Sequence, residues 1–256
     1  MTEKRQGRRS AEDALNTRYQ ILKVAAQLFC DLGYARVSLR NISEKAGVSH
    51  SLIRHHFGSK EKIWHSISDG IHRYVEHYMH KVIDNIPAAT PANVKIYLFT
   101  MRLIAHGLIV KQPIQLIADA IRQDDALIDY FIDNSGEIER LIQGFADEYN
   151  QQCPDKTVNI SEIKWQMIMY THSAASLTPF LLQTWREQTT DLDQCLLNHW
   201  QLFNQLMIEK YGISQAYVLT PSSVQELVYK VNFDWQKQCA YSSVVPKSLD
   251  AEVGDK

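Results

Sequence analysis

Apolar residues recur along most of this chain with the period of an α-helix, not with the alternation of a strand. Leu22, Ala25, Ala26 and Phe29 stand at i, i+3, i+4 and i+7, one face of a helix. Ser10-x-x-Asp13 has the spacing of a capping box and marks a start for that helix; Gly33 stands where a glycine closes one. Ser38 is placed to cap a second, short helix with the stripe Leu39, Ile42 and Ala46. Gly47 then turns the chain, Val48 is an apolar plug under the turn, and Ser49 caps a third short helix that ends near Phe57. Gly58 and Ser59 break and recap. A long fourth helix follows, with the stripe Ile63, Ile67, Ile71, Tyr74 and Tyr78, and Pro87 closes it.

Residues 86–91 form the clearest linker. Helical patterns resume at about 92–110, 113–122, 125–151, 161–188 and 191–211, with Pro113, Pro154 and the polar run 188–190 between some of them. Beyond residue 211 lies an extension. Ser223-x-x-Glu226 has capping-box spacing there, and Val224, Leu227, Val228, Val231 and Trp235 make one more amphipathic stripe; the last fifteen or so residues read as disordered. The fold class this pattern predicts is all-α.

Charge sharpens the division. The formal net charge of the 256 residues is −2, but residues 1–60 hold 11 Lys and Arg against 5 Asp and Glu, while residues 61–256 hold 16 against 24. A basic head on an acidic body points the head at a polyanion. Cys30, Cys153, Cys195 and Cys239 are far apart with no C-x-x-C pair, which fits reduced thiols and a cytoplasmic location better than a disulfide framework or a metal knuckle. The polar N-terminus does not read as a secretory signal, and the longest apolar-looking stretch, residues 98–110, is interrupted by Arg102 and His106 and is too short to span a bilayer. No membrane partner is expected.

The third helix carries the chemistry. Ile53 and Phe57, four apart, face the core, so His50, Ser51, Arg54 and His55 cluster on the opposite face. That face offers donors and small side chains and no carboxylate. It suits the major groove, where bases present acceptors and phosphates repel acids. Two helices joined by a tight turn at Gly47 make a helix-turn-helix. The chain therefore divides into a basic flexible arm (1–12), a helix-turn-helix DNA-binding domain (13–60), a helical domain (61–211) and a C-terminal extension with one helix and a disordered tail (212–256).

Residues 18–64 resemble the DNA-binding head of the TetR family of bacterial repressors. The resemblance lies in Ala25, Phe29 and Gly33-Tyr34, then Ser38-Leu39-Arg40-Asn41-Ile42-Ser43, then Ala46-Gly47-Val48-Ser49, and finally His55-His56-Phe57-Gly58-Ser59-Lys60-Glu61. It implies that the starts of the second and fourth helices, here Ser38 and Lys60, hold phosphates, with Arg40 beside the first. It makes the third helix the reading helix, with Ser49, His50, Ser51, Arg54 and His55 at contacting positions. Family members commonly carry Tyr where this chain has Arg54; an arginine there grips either a guanine edge or a phosphate. His56, next to Phe57, is as readily a packed structural histidine. His55 and His56 point about 100° apart on a helix and do not share a metal ion easily.

The resemblance also implies a larger body for effector binding and dimerisation. Residues 163–185 are apolar almost all round, and the following helical segment is similar, as expected of helices buried on several sides. In TetR-like proteins the last two major helices pair with their copies, which makes Leu177, Leu181, Leu196, Trp200 and Phe203 the expected dimer contacts. A pocket for a small, largely apolar effector is expected among Tyr97, Met101, His106, Trp165, Met169, Tyr170, His172 and Phe180, which mix aromatic surface with a few polar handles. No catalytic motif, metal site or cofactor is signalled. The function implied is a ligand-responsive repressor acting as a homodimer on a palindromic operator. An activator or a ligand-independent regulator of the same kind, and a helical protein-interaction scaffold, are the competing readings.

Overall fold

A computed structural model describes residues 3–123 and 136–237. Its α-helices are α1 (Glu3–Leu32), α2 (Leu39–Ala46), α3 (His50–Phe57), α4 (Lys60–Asp84), α5 (Ala92–Ile109), α6 (Gln112–Gln123), α7 (Gly136–Gln152), α8 (Ile160–Ser176), α9 (Thr178–Thr184) and α10 (Leu192–Tyr211). Among the described residues there is no strand, and the fold is all-helical. The chain divides into two compact units, one ending at Ile71 and resuming at Asp234, the other running from His72 to Phe233. The division falls inside α4, not at residues 60–61 where the sequence reading put it, because a single continuous helix supplies side chains to both cores. Among the described residues no single helix is long and apolar enough to cross a membrane.

In the first unit, Ile21, Leu22, Ala25, Leu28 and Phe29 of α1 are buried with Val37, Ile42, Ile53, Phe57, Ile63 and Trp64. The caps work as the sequence suggests. The Ser38 hydroxyl accepts from Asn41 N at 3.1 Å, and the Asn41 side chain accepts in return from Ser38 N at 2.9 Å. Gly47 takes φ 67° and ψ 29°, a left-handed conformation that a side chain adopts only with strain. The chain can thereby leave α2 and start α3 within three residues. Ser49 caps α3 by accepting from Leu52 N at 3.2 Å. One expectation is corrected here: the segment 1–12 is not a flexible arm throughout, since α1 is helical from Glu3. Lys4, Arg5, Gln6, Arg8, Arg9 and Ala11 are all good helix formers, so the helix continues back from its buried stripe.

In the second unit α5 is the central helix. It packs against α7, α8, α10 and a short 3-10 turn, Val224–Leu227. Its buried residues, among them Val94, Ile96, Tyr97, Phe99, Met101, Ile104 and Leu108, cover nearly its whole circumference. Its polar groups are answered by neighbours. The Trp200 indole donates to the Met101 carbonyl at 3.0 Å, and the Tyr97 hydroxyl donates to Asn204 Oδ1 at 2.7 Å while accepting from Leu219 N at 2.9 Å.

Two body expectations are corrected. The pattern at 161–188 is two helices, α8 and α9, parted at Leu177. Pro179, at the start of α9, has no N–H to give the preceding turn and ends the ladder there. The helix expected after Ser223 is only the 3-10 turn Val224–Leu227, and residues 228–234 carry no helix. The Ser223 side chain makes no cap. Glu226 turns instead to Ser222, accepting from its backbone N at 2.9 Å and from its hydroxyl. The segment runs as a strap: Arg102 donates to the Leu227 carbonyl at 2.9 Å and lies 4.4 Å from the Tyr229 ring centre, and Tyr229 N donates to the Tyr78 hydroxyl at 3.4 Å. Cys239 and the expected disordered tail lie outside the described residues.

Candidate nucleic-acid interface

The placement of α3 follows from what holds it. Ile53 and Phe57 are buried in the first unit's core and fix which way the helix faces. Ser49, His50, Ser51, Arg54 and His55 are all exposed. Ser51, Arg54 and His55 owe this to their angle from Ile53. His50 does not, since it stands seven residues from Phe57 and so on the same side of the wheel. It is exposed because it is the first helical residue, beyond the reach of the core. The Ser49 hydroxyl is held by the Leu52 amide and lies 2.9 Å from the Ser51 hydroxyl. Serine at 49 is therefore a cap first.

The cations around α3 differ in how far they are committed. Arg40 is exposed and pairs with Glu44 at 2.8 Å, which raises its already high pKa through that hydrogen bond and charge. Lys60 is half-buried. Its ammonium donates to the Tyr34 carbonyl at 2.9 Å and lies 4.0 Å from the Tyr34 ring centre, and burial pulls its pKa below the usual lysine range. This ties the start of α4 to the turn before α2. One ammonium hydrogen is spent on the carbonyl, and two remain. Ser38 is exposed, with its hydroxyl in the α2 cap. The Arg54 side chain has no hydrogen-bond or ion-pair partner among the described residues. α3 contains no carboxylate.

His56 is half-buried and meets His55 edge-on at 5.6 Å between ring centres. Burial lowers its pKa, with smaller like-charge contributions from His55 and Arg18. Among the described residues no group of three or more His, Cys, Asp or Glu is gathered to hold a metal ion.

The eight body residues expected to line a pocket do not come together. Tyr97 and Met101 are fully buried in the packed core around α5. His106 is buried, lies 2.9 Å from the Tyr74 hydroxyl and stacks on Tyr78 at 3.9 Å; burial holds its pKa down to about 4. Tyr170 packs on Phe203 at 4.4 Å, and His172 faces Ser176 at 3.1 Å. Trp165, Met169 and Phe180 are on the surface, Trp165 59% and Phe180 67% exposed. An apolar cleft does lie between α5, α7 and α8, but its lining is Ile96, Phe99, Thr100, Ile142, Phe145, Ala146, Val158, Ile160 and Ile163. It has room for about one water molecule. Ile96 and Thr100 of this lining are the immediate neighbours of Tyr97 and Met101 on α5, and so point about 100° away from them.

The expected dimer contacts are likewise redistributed. Trp200 and Phe203 are fully buried within the chain's own core, and Leu181 and Leu196 are nearly so. So buried, they leave little surface to offer a second copy. Leu177 remains exposed. With it the surface carries Trp165 and Met169 on α8, Phe180 on α9, and Leu202 and Leu206 on α10. Leu202 and Leu206 were not among the five expected contacts; their i, i+4 spacing puts them on one face of α10.

Comparisons with known proteins bear on the head most directly. Residues 21–67 match the family described as bacterial regulatory proteins, tetR family. The HTH-type transcriptional regulator TtgR of Pseudomonas putida is 37% identical over 70 residues, covering 27% of this chain and 33% of that protein. The HTH-type transcriptional repressor AcnR of Corynebacterium efficiens is 36% identical over 55 residues, 22% of this chain and 29% of its own. The match thus spans about a third of these relatives' length. Among solved structures, the fatty acid degradation regulator FadR from Bacillus halodurans superposes with a TM-score of 0.54 at 14% identity, over 73% of this chain and 93% of that one. The transcriptional regulator FadR from Bacillus subtilis, in complex with stearoyl-CoA, gives 0.52 at 17% identity, over 72% and 95%. At such identities the likeness is one of fold.

Proposed function

We propose that this chain, which belongs to the TetR family of bacterial regulatory proteins through its head, is a transcriptional repressor that binds duplex DNA as a homodimer and releases it in response to a largely apolar effector. The observation that carries the reading is the outer face of α3: Ser51, Arg54 and His55, with His50 at its tip, exposed, donor-rich and without a carboxylate. A helix of that character after a tight turn enters the major groove. The free amides at the start of α2, behind the Ser38 cap, and the remaining hydrogens of Lys60 would grip phosphates on either side.

One short helix makes too few contacts for a unique site, so readers of this kind work in pairs. The supporting feature is the exposed apolar set Trp165, Met169, Leu177, Phe180, Leu202 and Leu206 on α8–α10. A second copy of the chain is its proposed occupant. The proposed effector site is the cleft between α5, α7 and α8, whose lining is apolar apart from Thr100. A hydrocarbon chain suits it chemically, and the Bacillus subtilis neighbour holds a stearoyl group. Because the cleft has room for about one water, such a ligand enters only as α7 parts from α5 and α8.

In this account the two copies of α3 are spaced for successive major grooves, about 34–36 Å apart, and the effector favours another spacing. A coupling of roughly 1–3 kcal/mol lowers DNA affinity about 5–150-fold. The test is selection of duplexes from a random pool, then titration of aliphatic and aromatic candidates into the complex. The reading expects a palindrome and at least one compound that releases it. A pool that yields no bound duplex contradicts the reading and favours the scaffold alternative.

A further inference from the structure

We propose that Arg54 is the base-reading residue of this head, and that the base it reads is guanine, through N7 and O6 in the major groove. This rests on α3 being the helix that enters the groove. The Arg54 guanidinium has no hydrogen-bond or ion-pair partner among the described residues, whereas Arg18 is engaged by the His56 carbonyl, Arg40 by Glu44 and Lys60 by Tyr34. Unlike those three cations, it is exposed with all five of its donors uncommitted. It stands three residues after Ser51, so the two side chains are neighbours on the outward face of the helix, with Arg54 about 4.5 Å further along the axis. In helix-turn-helix proteins the N-terminal part of the second helix addresses base edges. The phosphate-holding roles fall to the starts of α2 and α4.

The donor set then selects the base. Guanine presents two acceptors side by side, which match the guanidinium fork. Adenine presents an acceptor beside a donor and calls for Asn or Gln, and cytosine presents a donor and calls for a carboxylate; α3 carries none of these. Thymine offers one acceptor and a methyl group. Each half-site should therefore hold one invariant G·C pair opposite Arg54.

The experiment is selection from a random duplex pool with full-length protein and with Arg54→Ala, followed by affinity measurements on the selected site. The wild type should fix a guanine at one position of each half-site, and replacing it by adenine should weaken binding about 5–150-fold. Arg54→Ala should bind both versions alike. 7-Deazaguanine at that position, which removes N7, should weaken the wild type and leave Arg54→Ala unchanged. Inosine there, which alters only the minor-groove edge, should leave both unchanged. If Arg54→Ala loses the same factor on every sequence and its salt slope falls by about one, the residue holds a phosphate and the proposal is overturned. A selected palindrome without a fixed guanine also overturns it, while leaving the DNA-binding reading intact. A pool that binds nothing removes both.

Discussion

The Arg18 guanidinium on α1 donates to the backbone carbonyl of His56 at 3.0 Å and lies 4.3 Å from the centre of the Phe57 ring. Its second terminal nitrogen reaches the Ser66 hydroxyl at 3.4 Å. One side chain thus binds the last turn of α3 to α1 and α4. The carbonyls of a final helical turn have no partner within their own helix, and a cation is the favourable answer to them.

Arg18→Ala should therefore destabilise the head by about 1–2 kcal/mol, the worth of a charge-assisted bond at a partly exposed site. Arg54→Ala, on the open side of the same helix, should change stability by less than about 0.5 kcal/mol. Urea unfolding of both variants checks the contrast.

α5 and α8 meet at Gly107. A Cβ built there would lie 2.7 Å from Cγ2 of Thr171, whose hydroxyl donates to the Met167 carbonyl at 2.7 Å. Gly107→Ala should cost about 1–3 kcal/mol through overpacking. Adding Thr171→Ser removes the clashing methyl, keeps the hydroxyl and should restore most of the loss. Thermal unfolding of the single and double variants is the measurement.

Acid should act through His106. Its folded-state pKa of about 4 lies below the ordinary value of 6.5, so as pH falls through 6.5 the unfolded chain takes up a proton that the folded chain refuses. The stability tied to His106 is fully present above about pH 6.5 and is lost progressively down to about pH 4, on the order of 3 kcal/mol in all. His56, His65 and His199 are shifted the same way by burial and add to the slope. Unfolding followed between pH 7 and 4 should show this decline, and it should be shallower in His106→Gln.

The apolar residues of α8–α10 should split into two classes. Phe180→Lys or Leu206→Lys should leave the helical signal intact and shift the chain from dimer toward monomer in sedimentation equilibrium. Trp200→Ala, at a site wholly inside the core, should destabilise the fold by about 3–5 kcal/mol. If the lysine variants sediment as the wild type does, the proposed dimer surface is wrong.

The head was legible in the sequence because its determinants are local. The caps at Ser38 and Ser49, the left-handed Gly47 and the stripe Leu22, Ala25, Phe29 each act within a few residues. The body was legible as helices but not as surfaces. An apolar helix reads the same whether it packs on its own chain, as Trp200 and Phe203 do, or lies bare, as Trp165 and Phe180 do. The break at Leu177 was written in Pro179 but masked by the apolar run around it. Val224, Leu227, Val228 and Val231 have helical spacing, yet the Leu227 carbonyl goes to Arg102 and the Tyr229 amide to Tyr78. Tertiary partners took the backbone groups that a helix would have used, and no local pattern could reveal that.

The most direct test of the central claim is the affinity of full-length protein for its selected duplex, measured by fluorescence anisotropy across a salt series, with Ser51→Asp alongside. Aspartate at that exposed first-turn position suits the helix but places a carboxylate where base edges and phosphates would be. The account predicts tight binding by the wild type that falls steeply as salt rises, and a loss of at least about tenfold in Ser51→Asp. Wild-type protein that ignores duplexes at low ionic strength, or Ser51→Asp binding as well as wild type, would contradict it.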